Sequence, residues 1–200
     1  MGIGKQAKTL SKKQVDIISD YLLSHRNGKR NLVIFLLSVK AGLRAKEIAS
    51  LTWKMLLTPE GKLSDEITLA NDVSKGNPGR IIPMNKNLRQ ALLNLWDQET
   101  TNYRAFDPYK SFVVRTVRRE STTPQAIVNQ FQALYKRFGF VGCSSHSGRR
   151  TFITNAARKI STVGGNAKDI QVLAGLSSLQ TTRRYIKDNQ DAQKKVVNLI

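Results

Sequence analysis

The chain has 200 residues, 40% of them hydrophobic, with 33 Lys and Arg against 14 Asp and Glu and a formal net charge of +19. That length suits one domain able to bury a core, and the hydrophobic share excludes a disordered chain. The charge points to a polyanionic partner, with nucleic acid ahead of an anionic membrane surface.

Ser11 opens the first helix, with Gln14 three residues later as in a capping box, and Val15, Ile18 and Leu22 marking one face. Asn27-Gly28 breaks it. The run Leu32 to Val39 is the most apolar of the chain and lies in a second helix, residues 31–41, which Gly42 ends. A short third helix follows at residues 45–51. Residues 53–57, 66–69 and 80–83 read as short strands, with turns at Pro59-Glu60-Gly61 and Gly76-Asn77-Pro78-Gly79. Helical pattern returns at residues 87–99. A basic connector carrying Arg104, Lys110, Arg115, Arg118 and Arg119 comes next. Thr123-Pro124 starts another helix, since proline at the first helical position sacrifices no hydrogen bond, and Gly139 ends it. Ser145 is placed to cap a helix over residues 147–159. After Gly164-Gly165, two short helices, residues 167–174 and 179–186, lead to a charged segment ending VVNLI. The predicted fold is mostly α with a small antiparallel sheet. It divides into a basic tail (1–10), a main domain (11–190) and a C-terminal oligomerisation or docking segment (191–200).

The apolar run is far too short to span a bilayer, and the N-terminal MGIGKQAKTLSKKQ lacks an apolar signal core. Cys143 stands alone, so neither an intrachain disulfide nor a thiolate metal cluster is expected, and it reads as a small core residue. His25 and His146 lie far apart in sequence and suggest no metal site. These features favour a reducing cytoplasm, with no membrane, metal or cofactor.

Four segments carry the chemistry: AGLRAKEIASLTW (41–53), SKGNPGRIIPM (74–84), SSHSGRRTFITNAAR (144–158) and LAGLSSLQTTRRYI (173–186). Their order, spacing and content resemble the catalytic domain of the tyrosine recombinase (phage integrase) family. The resemblance covers residues 10–186. It implies the DNA breaking-rejoining fold and cleavage of DNA through a 3′-phosphotyrosine. By the same resemblance Arg44 is the first catalytic arginine and Glu47 the acidic residue three positions on. Lys75 is the lysine of a strand-to-strand turn, His146 and Arg149 form the His-x-x-Arg motif, and Tyr185 is the nucleophile.

The chemistry of that set is coherent. A tyrosine can attack a phosphodiester and conserve the bond as a phosphotyrosine, given a positive pocket or a base to help remove its proton. Arg44 and Arg149 each offer a planar fork to the non-bridging oxygens, and Glu47 is spaced to hold Arg44 in place. Lys75 can protonate the leaving 5′ oxygen, and His146 can exchange a proton near neutral pH. Arg80, Arg150, Arg184, Lys12 and Lys13 are expected to contact the DNA backbone.

Two departures stand out. Leu176 occupies the position where the family most often has His or Trp, and leucine donates no hydrogen bond. Only about ten residues precede the first helix, where relatives commonly carry a helical DNA-binding domain. A basic tail or accessory DNA-binding proteins are expected in its place. The expected partners are double-stranded DNA and further copies of the chain, up to a tetrameric synapse, in the nucleoid. A recombination-associated protein that binds DNA with weak or no cleavage stays open, as does a basic structural nucleoid protein. Integration, inversion and resolution share the same chemistry.

Overall fold

The computed structural model describes residues 6–70, 79–104, 106–116, 120–178 and 180. Ser11 caps helix α1 (Lys12–Leu23) through the reciprocal pair Gln14 N to Ser11 Oγ (3.3 Å) and Ser11 N to Gln14 Oε1 (2.9 Å). Its face of Val15, Ile18 and Leu22 is buried against helix α2 (Gly28–Ala41). That second helix is buried nearly all round and runs through the middle of the molecule, which is why its sequence is so apolar. It starts earlier than the periodicity predicts, after Asn27 at φ 59°, and ends at Gly42 at φ 68°. The short helix α3 (Ala45–Ala49) follows.

The strand expected at residues 53–57 is not there: Trp53–Leu56 form a 3-10 turn. Trp53 and Leu56 are the buried pair, a spacing of three that suits a helical turn and not an alternating strand. Trp53 sits edge-on to Trp96 (5.1 Å between centroids) and to Phe106 (6.1 Å). Among the described residues the sheet has two strands, β1 (Glu66–Leu69) and β2 (Arg80–Pro83), antiparallel, with Ile67 opposite Ile82 and Leu69 opposite Arg80. Ile67, Leu69, Arg80 and Ile82 all point inward.

Helix α4 (Lys86–Asn102) packs on α2, and helix α5 (Pro124–Arg137) packs on α3. Thr123 caps α5 with proline in the first turn. Helix α6 (Ser147–Lys159) has the expected span, but its N-cap is His146 and not Ser145. The neighbouring serines hold that turn: Ser144 N donates to Ser147 Oγ (2.9 Å) and His146 N donates to Ser144 Oγ (3.3 Å). A 3-10 turn (Ile160–Val163) leads to helix α7 (Ala167–Ala174), which ends at Gly175 with φ 56°. Most buried side chains form one core around α2. Ile153, Ile170 and Ala174 make a smaller second cluster between α6 and α7. Cys143 is half-buried against the main core. Among the described residues no helix is long and apolar enough to cross a membrane.

Candidate active site

The site forms where the ends of α2 and α7 meet the starts of α3 and α6. A helix leaves its last carbonyls without intrahelical partners, and these carry partial negative charge. Here arginines satisfy them. Arg149, in the first turn of α6 and 7% exposed, donates from Nη1 to the Gly42 carbonyl beyond α2 and from Nη2 to the Ala174 carbonyl at the end of α7. Arg44, the residue before α3, donates from Nη2 to the next carbonyl, that of Gly175 (3.0 Å). Two guanidinium groups from distant parts of the chain are therefore seated on consecutive carbonyls of one helix end.

Glu47 organises the other side of Arg44. It lies at the third position of α3, and its carboxylate turns back to the Arg44 backbone N–H (Oε2, 2.7 Å) and to Arg44 Nη1 (Oε1, 3.0 Å). The spacing read from the sequence thus produces the ion pair. Glu47 is only 2% exposed, and a buried carboxylate needs more than one partner. The second partner is Arg80 of β2, whose Nη1 and Nη2 reach Oε1 (2.8 Å) and Oε2 (3.1 Å) as a two-pronged fork. A carboxylate has about four acceptor positions, and the two arginines use all of them. Burial pushes the Glu47 carboxyl up, but the bonds from Arg80 and Arg44 outweigh it and hold the group below the ordinary carboxylate range. The trio carries two cations and one anion. The excess charge emerges at Arg44, whose side chain is 36% exposed, against 5% for Arg80.

Arg80, expected to contact the DNA backbone, is buried, with Nη1 and Nη2 on Glu47 and Nε without a hydrogen-bond partner among the described residues. The sequence held a signal for this: in Arg80-Ile81-Ile82-Pro83 the strand alternation puts Arg80 on the same inward face as Ile82. Gly175 accommodates the arrangement, because a Cβ there would lie 2.5 Å from Arg80 Nη1 and the backbone is left-handed.

His146 is exposed at the N-cap of α6, three positions before Arg149. Arg150 follows, half-buried, with its backbone N–H on the His146 carbonyl (2.9 Å). Lys12 and Lys13 are exposed on α1, and Lys12 pairs with Asp16 at 2.8 Å, which raises its affinity for its proton. Leu176 is half-buried against the small α6–α7 cluster. Arg44, Glu47 and Arg149 are thus brought together, with Arg80 added. Lys75, Arg184 and Tyr185, together with the C-terminal segment 191–200, lie outside the described residues. Among the described residues no group of three or more His, Cys, Asp or Glu could hold a metal ion.

Residues 8–192 match the Phage integrase family. A curated relative, the tyrosine recombinase XerC of Chlamydia pneumoniae, is 29% identical over 174 residues, 86% of this chain and 52% of that protein. The chain therefore spans about half the length of that relative. Among solved structures, the fold is similar to that of XerA recombinase (TM-score 0.72, 21% identity, 97% of this chain and 65% of that one). It is likewise similar to the Tn1549 transposon integrase in complex with a circular intermediate DNA (TM-score 0.73, 19% identity, 99% and 67%). A lambda integrase dimer bound to a core site superimposes with a TM-score of 0.68 at 15% identity, over 94% of this chain and 50% of that one.

Proposed function

This chain belongs to the phage integrase family, and from that premise we propose that it is a site-specific recombinase that cleaves and rejoins double-stranded DNA through a 3′-phosphotyrosine. The observation that carries this reading is the seating of Arg44 and Arg149 on the consecutive carbonyls of Gly175 and Ala174. Two guanidinium groups held side by side before any substrate arrives are a preorganised cradle for the charge of a pentacoordinate phosphate.

The Tyr185 oxygen attacks the scissile phosphorus, the bond to the 5′ oxygen breaks, and the DNA 3′ end stays on the tyrosine. The departing 5′ oxygen takes a proton from Lys75. Rejoining reverses each transfer, so no net oxidation or hydrolysis occurs. Arg44 meets the non-bridging oxygens from the exposed side of the trio: each terminal nitrogen bears two N–H groups, so it keeps Glu47 and Gly175 while donating to phosphate. His146 exchanges the tyrosine's proton at the edge of the same cradle. The remaining positive charge, Lys12, Lys13, Arg150 and Arg184 included, holds the DNA backbone. Copies of the chain assemble on paired sites into a tetramer, joined through the C-terminal segment, with accessory DNA-binding proteins in the nucleoid of the cytoplasm.

The test uses nicked, end-labelled suicide duplexes with a randomised central segment, resolved on a denaturing gel. Wild type is expected to form a covalent protein–DNA adduct. Tyr185→Phe is expected to lose the adduct and keep DNA affinity, since only a hydroxyl is removed. An adduct on the Phe variant would exclude Tyr185 as nucleophile. Tight binding by wild type with no adduct would favour a binding-only role.

A further inference from the structure

We propose that Arg80 is a positioning residue for Arg44, acting through Glu47 and Gly175, and that it does not touch DNA; this rests on the cleavage reading above.

Among the described residues Arg44 has two protein partners for its terminal nitrogens, the Glu47 carboxylate and the Gly175 carbonyl. Arg80 supports both. It fills one acceptor position on each Glu47 oxygen, which leaves each oxygen one position for Arg44. Its guanidinium also packs on the bare Cα of Gly175, where a Cβ would lie 2.5 Å from Nη1 and 3.0 Å from Cζ. The fork of Arg80 therefore fixes the carboxylate plane on one side of Arg44 and the helix-end carbonyl on the other.

Removing Arg80 leaves a carboxylate that is 2% exposed with half of its acceptor positions vacant. Two relaxations are open to it. The carboxylate can turn to take both Arg44 nitrogens, drawing that guanidinium off the Gly175 carbonyl, or it can take a proton. Either one moves or weakens a cation that must meet the phosphate. Misplacement of about an ångström in such a group costs on the order of 10²-fold in rate. A lysine at this position supplies the charge but not the planar two-pronged geometry.

The experiment compares wild type, Arg80→Met, Arg80→Lys and the double variant Arg80→Met/Glu47→Gln on the suicide duplexes at saturating protein, and on a plain duplex across a range of salt. Wild-type adduct must appear first; its absence defeats the cleavage reading and is a separate result. Given that adduct, Arg80→Met is expected to lose cleavage on the order of 10²-fold. Arg80→Lys should recover only part of it. Affinity for the plain duplex and its log–log salt slope should stay at wild-type values in both. A phosphate contact predicts the reverse: weaker binding, a slope smaller by about one, and normal cleavage at saturation. That result overturns the proposal.

A purely structural role for Arg80 is separated by pH. Glu47 faces Arg44 from α3 and Arg80 from β2, while α7 offers only the Gly175 backbone. Arg149 of α6 occupies the adjoining carbonyls of Gly42 and Ala174. Loss of Arg80 removes the largest influence holding the Glu47 carboxyl down, so its affinity for a proton rises. Cleavage by Arg80→Met should therefore fail at a higher pH on the acid side than wild type. In the double variant, which has no carboxyl to titrate, that shift should vanish. Carbon-13 NMR of labelled glutamate should show the same upward shift of Glu47 in Arg80→Met, independently of any cleavage. If Arg80→Met does not fold, the double variant decides, because two buried charges have been removed together. A folded double variant with wild-type cleavage would overturn the proposal, as would Arg80→Lys with wild-type cleavage; Arg80→Lys with impaired cleavage and intact DNA binding supports it.

Discussion

Ser38 and Gly148 meet where α2 passes α6, so closely that a Cβ on Gly148 would overlap the serine hydroxyl and lie 2.9 Å from its Cβ. The serine backbone is near as well, with its carbonyl carbon 3.3 Å away. Since Gly148 immediately precedes Arg149, this contact sets how deeply the arginine reaches the Gly42 carbonyl just beyond α2.

Gly148→Ala should therefore lower stability by about 1–3 kcal/mol, the usual cost of overpacking a close contact. Ser38→Ala in the same chain should restore part of it, because the Ser38 hydroxyl is buried with no partner among the described residues. Urea unfolding midpoints of the two variants check this. Equal midpoints for Gly148→Ala and wild type would show that the helices can separate freely.

Glu47 gives a stability signature in acid. Its folded carboxyl lies below the ordinary range, so its contribution is complete above the unfolded-chain glutamate value of about 4.3. It is lost as the pH falls through the lower folded value. Glu47→Gln should cost about 3–5 kcal/mol at neutral pH, because it leaves Arg80 buried beside a neutral amide. The gap to wild type should narrow steadily once the pH drops below that range. Thermal or denaturant unfolding across acid pH checks it, and a gap independent of pH would refute the assignment.

Arg149→Lys keeps the charge but cannot span the Gly42 and Ala174 carbonyls with one ammonium. Cleavage on the suicide duplexes should fall on the order of 10²-fold or more. DNA affinity should change little, as the residue is 7% exposed. Near-normal cleavage would count against the two-pronged role.

Leu176 follows Gly175, whose carbonyl holds Arg44, and its own backbone is tied to Gln171 at both ends (3.0 and 3.1 Å). Leu176→His places a ring donor on a fixed backbone beside the arginines. Cleavage should rise, by up to about 10²-fold if one transition-state donor is what the site lacks. Stability should drop by about 1 kcal/mol as packing on Ile153 and Ile170 is lost. Reduced cleavage at unchanged stability would mean that the phosphate sits elsewhere.

Where the governing interaction is local, the sequence was legible. Ser11 and Gln14 spell out the start of α1, Thr123-Pro124 that of α5, and Gly42 the end of α2. Arg44 and Glu47 are three residues apart, N-cap and third helical position, and their ion pair follows from that local spacing. The strand expected at Trp53 failed because its pattern was read as alternation. The aromatic cluster with Trp96 and Phe106, more than forty residues on, buries Trp53 and Leu56 on a 3-10 turn.

What only the tertiary structure decided is the set of partners each arginine takes. Arg80 finds Glu47 across 33 positions, Arg149 finds Gly42 across 107, and Arg44 finds Gly175 across 131. Composition marks all three as surface cations, since arginine is rarely buried unless paired. Pairing at such separations depends on how α2, α6 and α7 pack, and on left-handed glycines that leave helix-end carbonyls open to a guanidinium. Motif spacing therefore brought Arg44 and Glu47 together, while the packing that buries Glu47 leaves Arg44 partly exposed and Arg80 buried.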